Sequence, residues 1–182
     1  MEIVVIAQDV QGAAVAIPWV DKAGGTYRAL LDQNNEIGKT YNLKYVPIAI
    51  VLDEDGRLAR AVGNANIDDE DFRSQLAEWV KTGAIPQAWI EADQQGPPRP
   101  LTADETEAAA RFQLAQVLLQ KGERDEAIAE LKRAVQLDSQ NWLIRKQLWA
   151  VETPDAFYEG NVDYAWQKEQ MAREERELLG AN

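Results

Sequence analysis

The residue types that proteins most often use for redox, nucleophilic and metal chemistry are missing from this chain. Its 182 residues include neither cysteine nor histidine. A thiol nucleophile, a histidine-based triad, a disulfide framework and a Cys/His zinc site are therefore excluded for these residues. Any metal site would need oxygen ligands alone. We accordingly expect no metal and no cofactor, and assign no catalytic residue.

The remaining acidic clusters have structural explanations. Asp53, Asp55 and Gly56 could begin a calcium loop, but the later ligands that calcium requires are absent, and a β-turn accounts for all three. The acids at 68–71 fall in the first turn of a predicted helix, where the helix dipole favours negative charge. There is no G-x-S-x-G serine and no glycine-rich phosphate loop.

Charge and the N-terminal residues restrict the partners. Lys and Arg total 19 against 31 Asp and Glu, a net charge of −12, which disfavours nucleic acid and anionic membranes as partners. The first seven residues carry no basic region, and their apolar run is too short for a signal peptide or a membrane span. We therefore expect a cytoplasmic protein that binds other proteins.

A proline-rich break at 96–100 (Gly-Pro-Pro-Arg-Pro) separates a mixed first part from a helical second part. The first part predicts an α/β unit in which a parallel crossover is followed by an antiparallel pair. Its predicted elements are the strand Glu2–Ala7, the helix Ala13–Ala23, the strand Thr26–Leu31, helical turns at Asn35–Tyr41, the strands Pro47–Leu52 and Arg57–Val62, and the helix from Asn66 to Lys81.

The second part opens with a capping box, Thr102 to Glu105. Small residues at 115, 127 and 134 predict two closely packed antiparallel helices, with Asp125 capping the second. The helix Asn141–Val151 would cover one side, and a charged helix follows at 167–179. The segment 108–139 resembles one tetratricopeptide repeat, and the matching residues are Leu114, Ala115, Leu118, Gly122, Ala127, Leu131, Ala134, Leu137 and Asp138.

The first part resembles the thioredoxin-like fold, in particular thiol-disulfide oxidoreductases of the TlpA/ResA type. The resemblance covers roughly Glu2–Gly83. The residues that carry it are Ile3–Ile6 with Asp9, Leu31-Asp32 through Tyr41-Asn42-Leu43, Tyr45-Val46-Pro47, and Ile50–Asp53 with Gly56-Arg57-Leu58. The resemblance implies that Pro47 matches the family's cis-proline and that Val46 and Pro47 line the substrate groove.

The chain lacks the strand and the C-x-x-C helix that precede the matching segment in that family. Without this strand, two apolar strand edges are left unpaired. Three explanations remain open. The flanking strands pair directly with each other, a partner chain supplies the missing strand, or the sequence is the downstream part of a longer product. In the last case a selenocysteine codon read as stop is one explanation, and ordinary truncation or a degenerate paralogue is the other.

These patterns predict four regions in the chain and leave two possible functions. Residues 1–83 form an incomplete thioredoxin-like domain, 84–101 a proline-rich linker, 102–152 tetratricopeptide-like helices with a capping helix, and 153–182 an aromatic-rich segment with a charged helix. The chain is expected to be the non-catalytic C-terminal portion of an oxidoreductase, or a non-enzymatic interaction module. The residues expected to contact a protein partner or a second copy are Leu114, Leu118, Leu131, Trp142 and Trp149. Aromatic residues at helical spacing more often belong to a core.

Overall fold

A computed structural model describes residues 1–64, 66–93, 99–159 and 163–180. In these ranges the protein is mainly helical, with one two-stranded parallel sheet. Residues 96–98 of the predicted break lie outside the described residues. The elements are β1 (Val4–Ala7), α1 (Ala13–Ala23), β2 (Arg28–Leu31), α2 (Glu36–Thr40), α3 (Glu70–Thr82), α4 (Gln87–Asp93), α5 (Ala103–Lys121), α6 (Arg124–Leu137), α7 (Trp142–Glu152), α8 (Asp155–Tyr158) and α9 (Tyr164–Gly180).

The predicted parallel crossover is confirmed. β1 pairs in parallel with β2, with Val4 opposite Arg28, and α1 connects the two strands. Helix α1 contains Pro18 and ends at Gly24, whose positive φ of 59° suits a residue without a Cβ atom. Local signals therefore placed the βαβ unit correctly.

The two strands predicted after the crossover are only partly formed. The segments 47–52 and 57–62 run antiparallel, but their pairing is reduced to isolated bridges, Ala49 with Gly63 and Leu52 with Leu58. The predicted antiparallel pairing is therefore confirmed, but neither segment forms a regular strand. A two-stranded hairpin is marginal without a neighbouring strand, and the sheet formed by the described residues contains β1 and β2 alone.

The turn between these segments has the predicted form. Asp53 Oδ1 accepts hydrogen bonds from the backbone N–H groups of Asp55 (3.0 Å) and Arg57 (2.8 Å). Gly56 supplies the positive φ, at 77°. The Asp55 carboxylate also pairs with the Arg57 guanidinium. The two carboxylates therefore act within the turn, as the β-turn interpretation predicts.

Helices α3 and α4 close over this hairpin. The Trp79 and Trp89 ring centroids are 5.8 Å apart, and the Trp89 indole N–H donates to Gln75 Oε1 at 2.7 Å. The Arg60 guanidinium lies 5.2 Å from the Phe72 ring centroid, so its charge meets an aromatic face. Helix α4 falls within the range 84–101 that was expected to be a linker, and the sequence pattern did not predict it.

The main hydrophobic core lies among α5, α6 and α7. As predicted, Ala115, Ala127 and Ala134 are almost completely buried, which allows the helices to approach closely. The proposed cap by Asp125 is wrong, because α6 begins at Arg124 and the N-cap residue is Glu123. Asp125 lies inside the first turn, where it interacts favourably with the helix dipole.

The small sheet is poorly covered. Val4, Val5 and Leu30 remain 39%, 40% and 50% exposed. β1 is not paired with residues 47–52, so direct pairing of the two strands that flank the missing one is not what the structure adopts. No helix in the described ranges is long and apolar enough to cross a membrane.

The capping box at the start of α5 provides a stability prediction. The Thr102 hydroxyl accepts from the Glu105 N–H, and the Glu105 carboxylate accepts from the Thr102 N–H. We expect Thr102→Ala to lower the free energy of unfolding by about 1 kcal/mol, measured by urea denaturation. Thr26→Ala, in an exposed loop, is the control. An unchanged stability in Thr102→Ala would contradict the assignment.

Candidate functional site at the carboxyl edge of the sheet

The loops that follow β1 and β2 leave the sheet at the same edge, because the two strands are parallel. Residues 8–11 form the first loop and residues 32–34 the second. Ligand sites in open parallel sheets lie at this carboxyl edge. In this protein, helices α5, α7 and α8 contact the two loops.

Helix α7 binds the first loop through one amide side chain. Gln147 Oε1 accepts from the Val10 backbone N–H at 3.2 Å, and Gln147 Nε2 donates to the Gln8 carbonyl at 2.8 Å. Val10 itself is 5% exposed and belongs to the hydrophobic core of the helices. The Gln11 side chain adds a bond from Nε2 to the Ala150 carbonyl at 3.0 Å. Helices α5, α6 and α7, called the helical layer below, therefore bury Val10 in the loop that follows β1.

The second loop begins with a buried carboxylate. Asp32 Oδ2 accepts from Gln8 Nε2 at 2.7 Å, which connects the two loops. The same carboxylate accepts from the backbone N–H groups of Glu36 (2.7 Å) and Ile37 (2.8 Å) at the start of α2. Asp32 thus stabilises the N-terminus of a short helix, which is a structural role.

Helix α5 contacts the next residues of the second loop. Gln116 Nε2 donates to the Gln33 carbonyl at 3.3 Å, and Gln120 Nε2 donates to Asn34 Oδ1 at 3.0 Å. Both glutamines lie on the side of α5 that faces the mixed first part of the chain. These hydrogen bonds hold α5 beside the loop that follows β2.

A second carboxylate, Asp9, lies between the sheet and α8. Its Oδ2 accepts from the Tyr158 hydroxyl at 2.8 Å, and its Oδ1 accepts from the Gln11 N–H at 2.9 Å. Burial raises the pKa of Asp9 above its usual value, and the two hydrogen bonds partly oppose this rise. Burial and the neighbouring Asp9 charge raise the pKa of the Tyr158 phenol well above its usual range.

The segment that carries Val46 and Pro47 lies next to α7. The Val46–Pro47 peptide bond is cis, and both residues are exposed at the surface. Just before them, the Lys44 carbonyl accepts from the Leu143 N–H at 2.9 Å. The Lys44 ammonium pairs with Glu105 at 3.3 Å and with the buried Asp138. The predicted groove residues therefore sit beside the first turn of α7.

The residues predicted to contact a partner do not form one surface. Leu131 and Trp149 are 0% and 1% exposed, so they belong to the core, and neither is accessible to a partner in this structure. Trp142 is half-buried, with its ring edge-on to Trp149 and beside Arg145. Leu118 is half-buried against the core, and Leu114 is 47% exposed.

The polar groups at this sheet edge are hydrogen-bonded to other groups of the same chain. In the described residues, no group of three or more Asp or Glu side chains is placed to hold a metal ion. Asp9 and Asp32 each accept hydrogen bonds from neighbouring groups. This arrangement is suited to holding the helical layer on the sheet edge.

Asp9 and Pro47 were predicted from the sequence, whereas Lys44, Gln147 and Tyr158 were not. Gln147 is separated from its partner Val10 by 137 positions, so no local pattern signals their contact. A glutamine within a helix that is otherwise mostly apolar was the one available signal. Such a residue must find hydrogen-bond partners when it is buried.

Comparison with known proteins adds no assignment, since no protein-family model, curated protein or solved structure matches this chain.

The contact between α7 and the first loop can be tested by removing one side chain. Gln147→Leu keeps a similar volume but leaves the Gln8 carbonyl and the Val10 N–H without their partner. We expect the free energy of unfolding to fall by about 2 kcal/mol or more, since unsatisfied buried groups are costly. Gln136→Leu, at an exposed position on α6, is the matched control. Equal stability of the two variants would refute this role.

The raised pKa of the Asp9 carboxyl makes the free energy of unfolding depend on pH. Because its pKa is raised above 3.8 in the folded protein, its ionisation opposes folding, and wild type loses this part of its stability as pH rises through the raised pKa. Asp9→Asn avoids the loss. The unfolding free energy of Asp9→Asn minus that of wild type should therefore increase from about pH 3.5 to about pH 7.

Urea denaturation at several pH values measures this difference. Asp21→Asn, on the exposed surface of α1, controls for the removal of one carboxylate from an acidic chain. A difference that stays constant or falls with pH would show that burial does not disfavour the Asp9 charge.

Proposed function

We propose that this chain is the part of a thioredoxin-like thiol-disulfide oxidoreductase, of the TlpA/ResA type, that lies downstream of the redox motif. Its 182 residues contain no cysteine, so the reactive thiol or selenol belongs to residues outside them. The helical part holds a protein substrate beside Val46 and Pro47. The resemblance described above motivates this proposal.

The observation that carries the proposal is the incomplete sheet. β1 pairs with β2 along one edge, and the segment 47–52 pairs only with its own hairpin partner in the described residues. In the resembled family, the strand that leads to the redox motif lies between these two segments. Val4 and Val5 are exposed although they are apolar strand residues, which is costly for an isolated two-stranded sheet.

The position of the helical layer supports a role in substrate binding. A strand added parallel to β1 would end at the same carboxyl edge as β1 and β2. The helices contact this edge through Gln147 and reach the Pro47 segment through Leu143 and Lys44. A protein substrate bound beside Pro47 would therefore also lie close to the start of α7.

The second candidate is a non-enzymatic interaction module, and one observation favours it. The loop after β1 is already covered, because Val10 is buried among the helices and Gln147 binds its backbone. A substrate approaching the end of β1 would meet α7. In this alternative, the apolar β1 edge and the helical surface bind a protein partner without redox chemistry.

The intact mass of the endogenous protein, with selenium detection on the same sample, separates the two candidates. The proposal predicts a mass above 20.4 kDa and an upstream redox motif. Selenium in the product would identify a selenol, and a heavier product with a C-x-x-C motif would identify a thiol pair. An endogenous mass of 20.4 kDa would contradict the proposal and favour the interaction module.

Insulin reduction by dithiothreitol provides the activity test. The 182-residue chain alone should not accelerate insulin precipitation, because it has no group that can exchange with a disulfide. The longer endogenous product should accelerate it, and replacing its redox residue by serine should abolish the acceleration. Activity of the chain alone would show that our view of the redox site is wrong.

A further inference from the structure

Helix α5 has apolar residues on two opposite sides. One side packs into the core, where Ala108, Phe112 and Ala115 are at most 2% exposed. On the other side, Leu114 and Val117 are 47% and 45% exposed. A helix that is apolar on both sides is typical of one that is buried on both sides, yet within the described residues α5 is covered on one side only.

The exposed residues form a straight stripe along the helix. Positions 103, 107, 110, 114, 117 and 121 alternate spacings of four and three, so they share a sector about 80° wide. The α5 stripe comprises Ala103, Glu107, Ala110, Leu114, Val117 and Lys121, all of them exposed. Its centre is apolar, with an acid near one end and a base at the other.

We propose that the α5 stripe is the interface of a two-fold symmetric dimer, in which α5 packs antiparallel against α5 of a second copy. A two-fold interface uses the same surface on both copies. If the axis lies midway between positions 110 and 114, Leu114 of each copy faces Ala110 of the other. A large side chain then meets a small one twice, which lets the two helices pack closely.

The charged residues of the α5 stripe support a second copy of the chain as the partner that covers it. In the same register, Val117 faces position 107 of the other copy, which places Lys121 within one helical turn of the other copy's Glu107. The Glu107 Oε1 atom accepts from Arg111 of its own chain, so Lys121 of the other copy would approach the second carboxylate oxygen. Glu107 and Lys121 are the two charged residues of the stripe, one in the first half of α5 and the other in its last turn. The antiparallel helix dipoles also attract each other at their ends.

The oligomeric state of the full 182-residue chain tests the proposal. We expect light scattering after size exclusion to give twice the 20.4 kDa chain mass, falling to the monomer mass on dilution. Leu114→Glu should raise the dissociation constant at least about tenfold, since it buries two carboxylates at the axis. Val80→Glu, at an apolar helix position 46% exposed on α3, should leave it unchanged.

Exchanging the charges at positions 107 and 121 tests whether the dimer uses this interface or a different one. Glu107→Lys and Lys121→Glu alone should each weaken the dimer, and the double variant should restore it, because the cross-copy pairs reform with reversed sign. Circular dichroism verifies that each variant keeps its helical content. A monomeric wild type, a dimer that survives Leu114→Glu, or a double variant no tighter than the singles would overturn the proposal. The result does not depend on the proposed redox function.

Discussion

The hydrogen bonds between Gln147 and the loop after β1 allow the two parts of this protein to pack against each other. The helical layer buries the Val10 side chain, and burial removes water from the backbone groups around it. These groups need partners inside the protein. The Gln147 amide supplies one donor and one acceptor in the required places, so the hydrophobic contact can form without unpaired polar groups.

This contact places the candidate site and limits its chemistry. The carboxyl edge of a parallel sheet is where such folds bind ligands, but here the loop after β1 is occupied by α7. The Val46–Pro47 segment stays exposed at the margin of the same contact, held through Lys44. The surface around Pro47 is therefore accessible, while α7 covers the loop after β1.

Within the part of the chain that the structure describes, β1 and the α5 stripe are both apolar and exposed, and they differ in the chemical groups that they offer to a partner. β1 offers backbone donors and acceptors as well as Val4 and Val5, so a strand is its natural complement. The α5 stripe offers only side chains, because its backbone bonds are satisfied within the helix. A second helix is therefore its natural complement, and the two surfaces need not compete for the same occupant.

The sequence by itself determined most local elements, because their signals lie within a few residues of each other. The capping box at Thr102, the turn at Gly56 and the crossover from β1 to β2 were all predicted. Hydrophobic periodicity was a poor guide where strand pairing decides the structure. The segment 47–52 did not become a regular strand, since in the described residues it is bridged to the following segment alone.

Only the tertiary structure decided which apolar residues are interior and which loops meet. Leu131 and Leu114 look equivalent in the sequence, yet one is 0% and the other 47% exposed, because burial depends on which side of a helix faces a neighbour. The Asp9–Tyr158 and Val10–Gln147 contacts join residues more than a hundred positions apart. Their formation depends on how whole helices pack on the sheet, which residue spacing does not encode.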